Sequence, residues 1–151
     1  MTPEELVKDV MEENVQTVDL NTNVKESANL MAEKGIGSLV VVQGGKAVGI
    51  VTERDLVSKV IADGLDPAKV LVRDIMSTPL ITIQPDAKIT EAARLMIEYK
   101  IKRVVVTGAG GSLAGIVTSG DLARTLAERK DYSDMTLNAI ARASPAGGPY
   151  Q

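Results

Sequence analysis

The chain has 151 residues, of which 44% are hydrophobic and 25% charged, and its formal net charge is −3. These fractions describe a folded globular protein. The weak, scattered charge lacks the dense cationic face that phosphate backbones require, so nucleic acid is not an expected partner. Histidine, cysteine, tryptophan and phenylalanine are all absent. That excludes disulfides, thiolate zinc sites and every Ser–His or Cys–His nucleophile. Catalysis would have to come from Asp, Glu, Lys, Tyr, Ser or Thr, and the chain is not expected to be an enzyme.

Taken in order, the chain opens on "TPEELVKDVM", a helical pattern in which Thr2 caps and Pro3 takes the first helical position. This opening is acidic rather than signal-like, and no run of about 18 apolar residues follows anywhere, so no membrane span and a cytoplasmic location are expected. "VQTVDL" reads as a short extended piece, and Val24–Lys34 as a helix. "SLVVVQGGKAVGIVT" has two β-branched runs around a Gly-rich turn, which signals a hairpin. A helix over 53–62 comes next.

The pattern then starts again. "DPAKVLVRDIM" is a second lead-in helix, opened by Asp66 and Pro67, and "LITIQP" is a second extended piece. In the helix over 89–100 the apolar positions are Ile89, Ala92, Ala93, Met96 and Tyr99, one face at helical spacing. "RVVVTGAGGSLAGIVT" is a second hairpin and 119–130 a second helix. Near-continuous Val and Ile imply strands covered on both faces. A short helix, "SDMTLNAIARA", and a Gly/Pro-rich tail from about residue 144, expected to be disordered, close the chain.

The two halves are copies. Aligning Met11 with Met76 also matches Asp9 with Asp74, Glu26 with Glu91, Leu30-Met31 with Leu95-Met96 and Val40-Val41 with Val105-Val106. One residue is inserted in the second hairpin, after which "GIVTERDL" (49–56) lies over "GIVTSGDL" (115–122). The repeats therefore span 3–65 and 66–130, with 131–151 as an extension. The fold class is α+β, built from two β-α-β-β-α units, each too small to bury much surface alone.

The repeated string carries the chemistry. Thr52-x-x-Asp55 and Thr118-x-x-Asp121 each fit a capping box at a helix start, which alone accounts for their residue types. A helix start also offers free N–H groups to a phosphate, and a carboxylate there can accept both hydroxyls of a ribose. Both readings stand on sequence. "QGGK" and "GAGGS" each link two strands and open no helix, so they are hairpin turns rather than phosphate loops. Glu4, Glu5, Glu12 and Glu13 read as a solvated face rather than a metal cluster.

The tandem "EAxxLM … VVV … GIVTxxDL" arrangement resembles the CBS domain pair, named after cystathionine β-synthase and also called a Bateman module. The resemblance covers roughly residues 3–130. It implies two repeats packed sheet to sheet about a pseudo-two-fold axis, with AMP, ADP, ATP, S-adenosylmethionine or NAD bound in clefts between them. ATP would bring Mg²⁺ on its phosphates. It further implies a homodimer of pairs and a regulated partner that is a separate chain. By the same resemblance Asp55 and Asp121 take the ribose, with Thr52 and Thr118 beside them. Arg54 stands over phosphate, where the second copy has Gly120, with Ser119 beside it. Ile36, Gly37 and Ser38, and Ile101, Lys102 and Arg103, line the nucleotide, the isoleucine against the base and the next two positions toward phosphate. Lys102 and Arg103 are charged where Gly37 and Ser38 are not, so the two sites are expected to differ. Which Asp accompanies the Lys102–Arg103 pair is not readable from sequence. A module that dimerises or docks on a partner without any ligand is the alternative.

Overall fold

A computed structural model of the chain describes residues 5–128. Thr2, Pro3 and Glu4, the predicted helix after Lys130 and the predicted tail lie outside the described residues. Among the described residues the backbone divides into two compact units, one of 15–80 and one of 5–14 with 81–128. The units thus exchange their lead-in segments relative to the sequence repeats: residues before Val15 belong with the second repeat and residues up to Leu80 with the first.

In the unit of residues 15–80, β1 (Thr17–Asp19) is followed by α2 (Val24–Lys34), β2 (Ser38–Gln43), β3 (Lys46–Thr52), α3 (Glu53–Leu56) with a π turn over Val57–Ile61, and α4 (Val72–Ile75). The sheet order is β1-β2-β3, with β1 parallel and β3 antiparallel to β2. The other unit carries α1 (Val7–Val10), β4 (Thr82–Ile83), α5 (Ile89–Tyr99), β5 (Arg103–Thr107), a 3₁₀ turn over Ala109–Gly111, β6 (Leu113–Thr118) and α6 (Ser119–Glu128). Its sheet has the same order, β4-β5-β6. The mixed α+β architecture is the one read from the sequence.

Local chemistry explains the element ends. Asn23 caps α2 by accepting the Glu26 N–H at 2.9 Å, and Gly35 ends it at φ 65°. Lys100 ends α5 in the same left-handed region, at φ 55°, where an L side chain is disfavoured. The first hairpin turns through Gly44 and Gly45, both at positive φ, which a two-residue turn requires. The residue inserted in the second repeat is absorbed in the 3₁₀ turn of the second hairpin.

Each unit has its own aliphatic core. Met31, Leu39, Val41, Val51 and Val60 centre one; Ile89, Met96, Val104, Val106 and Leu122 centre the other. Successive residues of each middle strand, Leu39 to Val41 and Val104 to Val106, are all buried, so neither face of those strands meets solvent. Tyr99 departs from the predicted buried stripe of α5 and is half exposed. It is the last residue of the helix, while the other four positions are buried. Elsewhere on α5, Arg94 bonds both Glu91 and Glu98, and its hydrogen bond holds the Glu91 carboxyl below the ordinary value.

Both lead-in helices are single turns, shorter than expected. Asp66 forms a local turn by accepting the Ala68 N–H at 3.0 Å, and Val70 and Pro67 give their carbonyls to the first turn of α2. Those bonds hold 67–69 as a turn and delay the helix until Val72. Met76-Ser77 then pairs with Ile50, and Met11-Glu12 pairs with Ile116 in the other unit.

This close pairing explains the glycine of each "GIVT". A Cβ on Gly115 would lie 2.7 Å from the Met11 sulfur and 2.8 Å from the Glu12 carbonyl oxygen. On Gly49 it would meet the Met76 sulfur at 2.7 Å and the Ser77 carbonyl at 3.2 Å. The thioether can swing away; the backbone carbonyl cannot. Gly115→Ala is therefore expected to destabilise the chain by about 1–3 kcal/mol, and Gly49→Ala by less. Thermal unfolding of both variants checks the order.

Candidate functional site

The repeated Thr-x-x-Asp lies where the last strand of each sheet becomes a helix. Thr52 ends β3 in extended conformation and its backbone turns helical at Glu53. The Thr52 N–H donates to Asp55 Oδ2 at 2.9 Å, and the Asp55 N–H donates back to Thr52 Oγ1 at 3.3 Å. In the second repeat the Thr118 N–H reaches Asp121 Oδ2 at 2.8 Å and the Asp121 N–H reaches Thr118 Oγ1 at 3.1 Å. Both capping boxes form, with Asp in place of the more usual Glu. Asp55 and Asp121 are 6% and 8% exposed, so each carboxylate is nearly withdrawn from water and needs compensating partners.

The segment before each middle strand reaches this same junction. The Glu53 N–H donates to the Gly37 carbonyl at 3.0 Å, and the Ser119 N–H to the Lys102 carbonyl at 2.9 Å. Ser38 faces Thr52 and Arg103 faces Thr118 across the two ladders. Within their own unit Lys102 and Arg103 thus adjoin the Thr118–Asp121 junction. With the capping boxes, three of the four orphan N–H groups expected at each helix start are satisfied.

The remaining sequence candidates fall as follows. Ile36 and Ile101 are partly buried and packed against the core of their own unit. Gly37, Ser38, Lys102 and Arg103 are half-buried, and Lys102 Nζ is shut off from solvent. Arg54 is exposed on the first turn of α3. Ser119 is buried. Gly120 is exposed, and a Cβ there would meet Thr118 Oγ1 at an ordinary 3.5 Å, so packing does not require glycine at this position.

Four residues at these junctions escaped the sequence reading. Lys59 Nζ pairs with Asp55 Oδ1 at 3.0 Å and donates to the Ile75 carbonyl at 2.9 Å. The Ser77 hydroxyl lies 3.4 Å from the same Oδ1. In the other unit Arg124 pairs with Asp121 Oδ1, and the Thr125 hydroxyl donates to the Asp121 carbonyl at 2.9 Å. The i,i+4 and i,i+3 spacings of the two cations were a usable signal. Ser77, 22 residues away, offered none. Among the described residues there is no group of three or more acidic side chains able to hold a metal ion, and no helix is long and apolar enough to cross a membrane.

The chain is similar to known proteins in sequence and fold. The CBS domain family model matches residues 7–62 and again 72–128. Protein MK0525 of Methanopyrus kandleri is 42% identical over 117 residues, covering 77% of this chain and 60% of that protein, so the chain spans less than two thirds of that relative's length. The CBS domain pair of protein MJ0100, solved with 5′-methylthioadenosine and S-adenosyl-L-methionine, superposes with a TM-score of 0.77 at 31% identity, covering 84% of this chain and 99% of that one. CBSX2, solved with AMP, superposes with a TM-score of 0.71 at 30% identity, covering 83% and 98%.

The capping role is separable from any ligand. Thr118→Ala removes the acceptor for the Asp121 N–H and is expected to cost about 1 kcal/mol, with Thr118→Ser recovering most of it. Chemical denaturation of the two variants measures both.

Proposed function

On the premise that the chain belongs to the CBS domain family, we propose that it is a regulatory sensor that binds an adenine nucleotide, AMP, ADP or ATP, and signals its occupancy to a separate protein. The observation that carries this reading is the convergence at one junction of Asp121, the start of α6 and the Lys102–Arg103 segment, tied by the bond from the Ser119 N–H to the Lys102 carbonyl. Each part suits one part of such a ligand. A carboxylate accepts from vicinal sugar hydroxyls, the helix start favours negative charge, and the cations attract phosphate. Structural neighbours solved with AMP and with S-adenosyl-L-methionine support an adenosyl group as the common element. Where the ligand is ATP, Mg²⁺ would arrive on its phosphates.

The chemistry here is recognition. With no histidine or cysteine in the chain, neither an imidazole base nor a thiol nucleophile is available. Binding regulates only through different affinities for two states of the protein. A homodimer of pairs, acting on a partner chain, is the arrangement in which such a difference would be read.

Titration calorimetry with AMP, ATP and S-adenosylmethionine tests this. At least one is expected to bind, and Lys102→Ala with Arg103→Ala should weaken a phosphate-bearing ligand at least about tenfold, the effect of losing charge-assisted bonds. S-adenosylmethionine, which lacks phosphate, should lose less. No heat with any of the three would overturn the reading.

A further inference from the structure

The two carboxylates at the repeated junctions share their capping bonds but not their free oxygens. Oδ1 of Asp55 receives the Lys59 ammonium at 3.0 Å, with the Ser77 hydroxyl at 3.4 Å. Lys59 is itself anchored, because its ammonium also caps the Ile75 carbonyl at the end of α4. That carbonyl is one of the orphan acceptors at a helix C-terminus, where a cation is favoured. Asp55, Lys59, Ile75 and Ser77 therefore form one closed set of bonds joining the start of α3 to the segment 72–77.

The other unit keeps the aspartate, as Asp121, but replaces both side chains that hold its free oxygen. The position of Lys59 is taken by Thr125, whose hydroxyl turns to the Asp121 carbonyl at 2.9 Å. The position of Ser77 is taken by Glu12, which has no hydroxyl to donate and accepts the Asn14 N–H instead. Oδ1 of Asp121 pairs with Arg124, whose side chain is 67% exposed. An exposed arginine held by one carboxylate is easily exchanged, since such pairs are weak and cost side-chain entropy to maintain. Lys59 is kept beside Asp55 by its second bond, to the Ile75 carbonyl, so a ligand on that carboxylate would compete with an ammonium that stays in place and with the Ser77 hydroxyl.

We propose that the chain takes one adenosyl ligand, gripped by Asp121, while Asp55 is a latch that Lys59 and Ser77 keep bonded to the segment 72–77. The inference rests on the reading of the chain as a binding module and assigns its two motifs different work. At Asp121 the sugar hydroxyls replace Arg124 on Oδ1, leaving the guanidinium free beside an anionic ligand. At Asp55 the same exchange is blocked. The segments ahead of the middle strands differ in the same sense, with Lys102 and Arg103 next to Asp121 and the uncharged Gly37 and Ser38 next to Asp55, whose own neighbour Arg54 is exposed.

Four full-length proteins test it: wild type, Asp121→Asn, Asp55→Asn and Lys59→Met, each melted and each titrated with AMP and S-adenosylmethionine. The expected wild-type stoichiometry is one ligand per chain. Asp121→Asn should lose at least about tenfold in affinity with a small change in melting. Asp55→Asn and Lys59→Met should melt lower by about 3 °C or more, yet bind within about threefold of wild type. Two ligands per chain, or equal loss of affinity in Asp55→Asn and Asp121→Asn, would overturn the inference while leaving the sensor reading intact. Absence of binding by the wild type to either ligand would instead remove the sensor reading, and the ligand half of this inference with it; unchanged melting of both Asp55→Asn and Lys59→Met would remove the latch.

Discussion

The constraint on which the rest depends is the reciprocal bond between a strand's last threonine and the aspartate three residues on. It places a carboxylate, nearly free of water, at the point where sheet gives way to helix. The backbone on either side is then committed. The strand must end at Thr52 or Thr118, and the helix must begin one residue later. The segment ahead of the middle strand can now reach the helix start with a carbonyl, from Gly37 or Lys102. A folding signal and, under the proposed function, a binding edge fall on the same few atoms, so the short string is of use in both halves as a fold element alone.

Duplication supplies the scaffold twice, but it does not require both copies to do the same thing. The two junctions agree in every backbone bond and diverge in the side chains one turn farther along. A lysine fixed at two points stands on one carboxylate, an exposed arginine on the other. The first helix also widens into a π turn over Val57–Ile61, closed by the bond from the Ala62 N–H to the Val57 carbonyl, whereas α6 is regular. Such turns often accompany function; here the turn directly follows the latched aspartate and includes Lys59.

Much of this was legible in the sequence because its signals are local. Periodicity found α2 and α5, β-branched runs found both hairpins, and the in-register match found the duplication. The capping boxes were read correctly from Thr and Asp at their spacing. What could not be read was tertiary. The second lead-in helix is cut to one turn where Pro67 and Val70 give their carbonyls to α2, a competition that no propensity records. The glycines of the repeated string look like ordinary strand glycines until Met11 and Met76 are seen lying on them. Ser77 meets Asp55 from 22 residues away. Tyr99 fitted the helical period and is nonetheless half exposed, because a period says which residues share a face and not which of them are covered.

The central claim is that a sugar displaces a guanidinium from one buried carboxylate. A crystal structure of the chain grown with AMP tests it most directly. The expected result is ribose hydroxyls on Asp121 Oδ1, Arg124 moved off that oxygen, phosphate near Lys102 and Arg103, and Asp55 still bonded to Lys59. AMP bound elsewhere, with Arg124 still seated on Asp121, would contradict it.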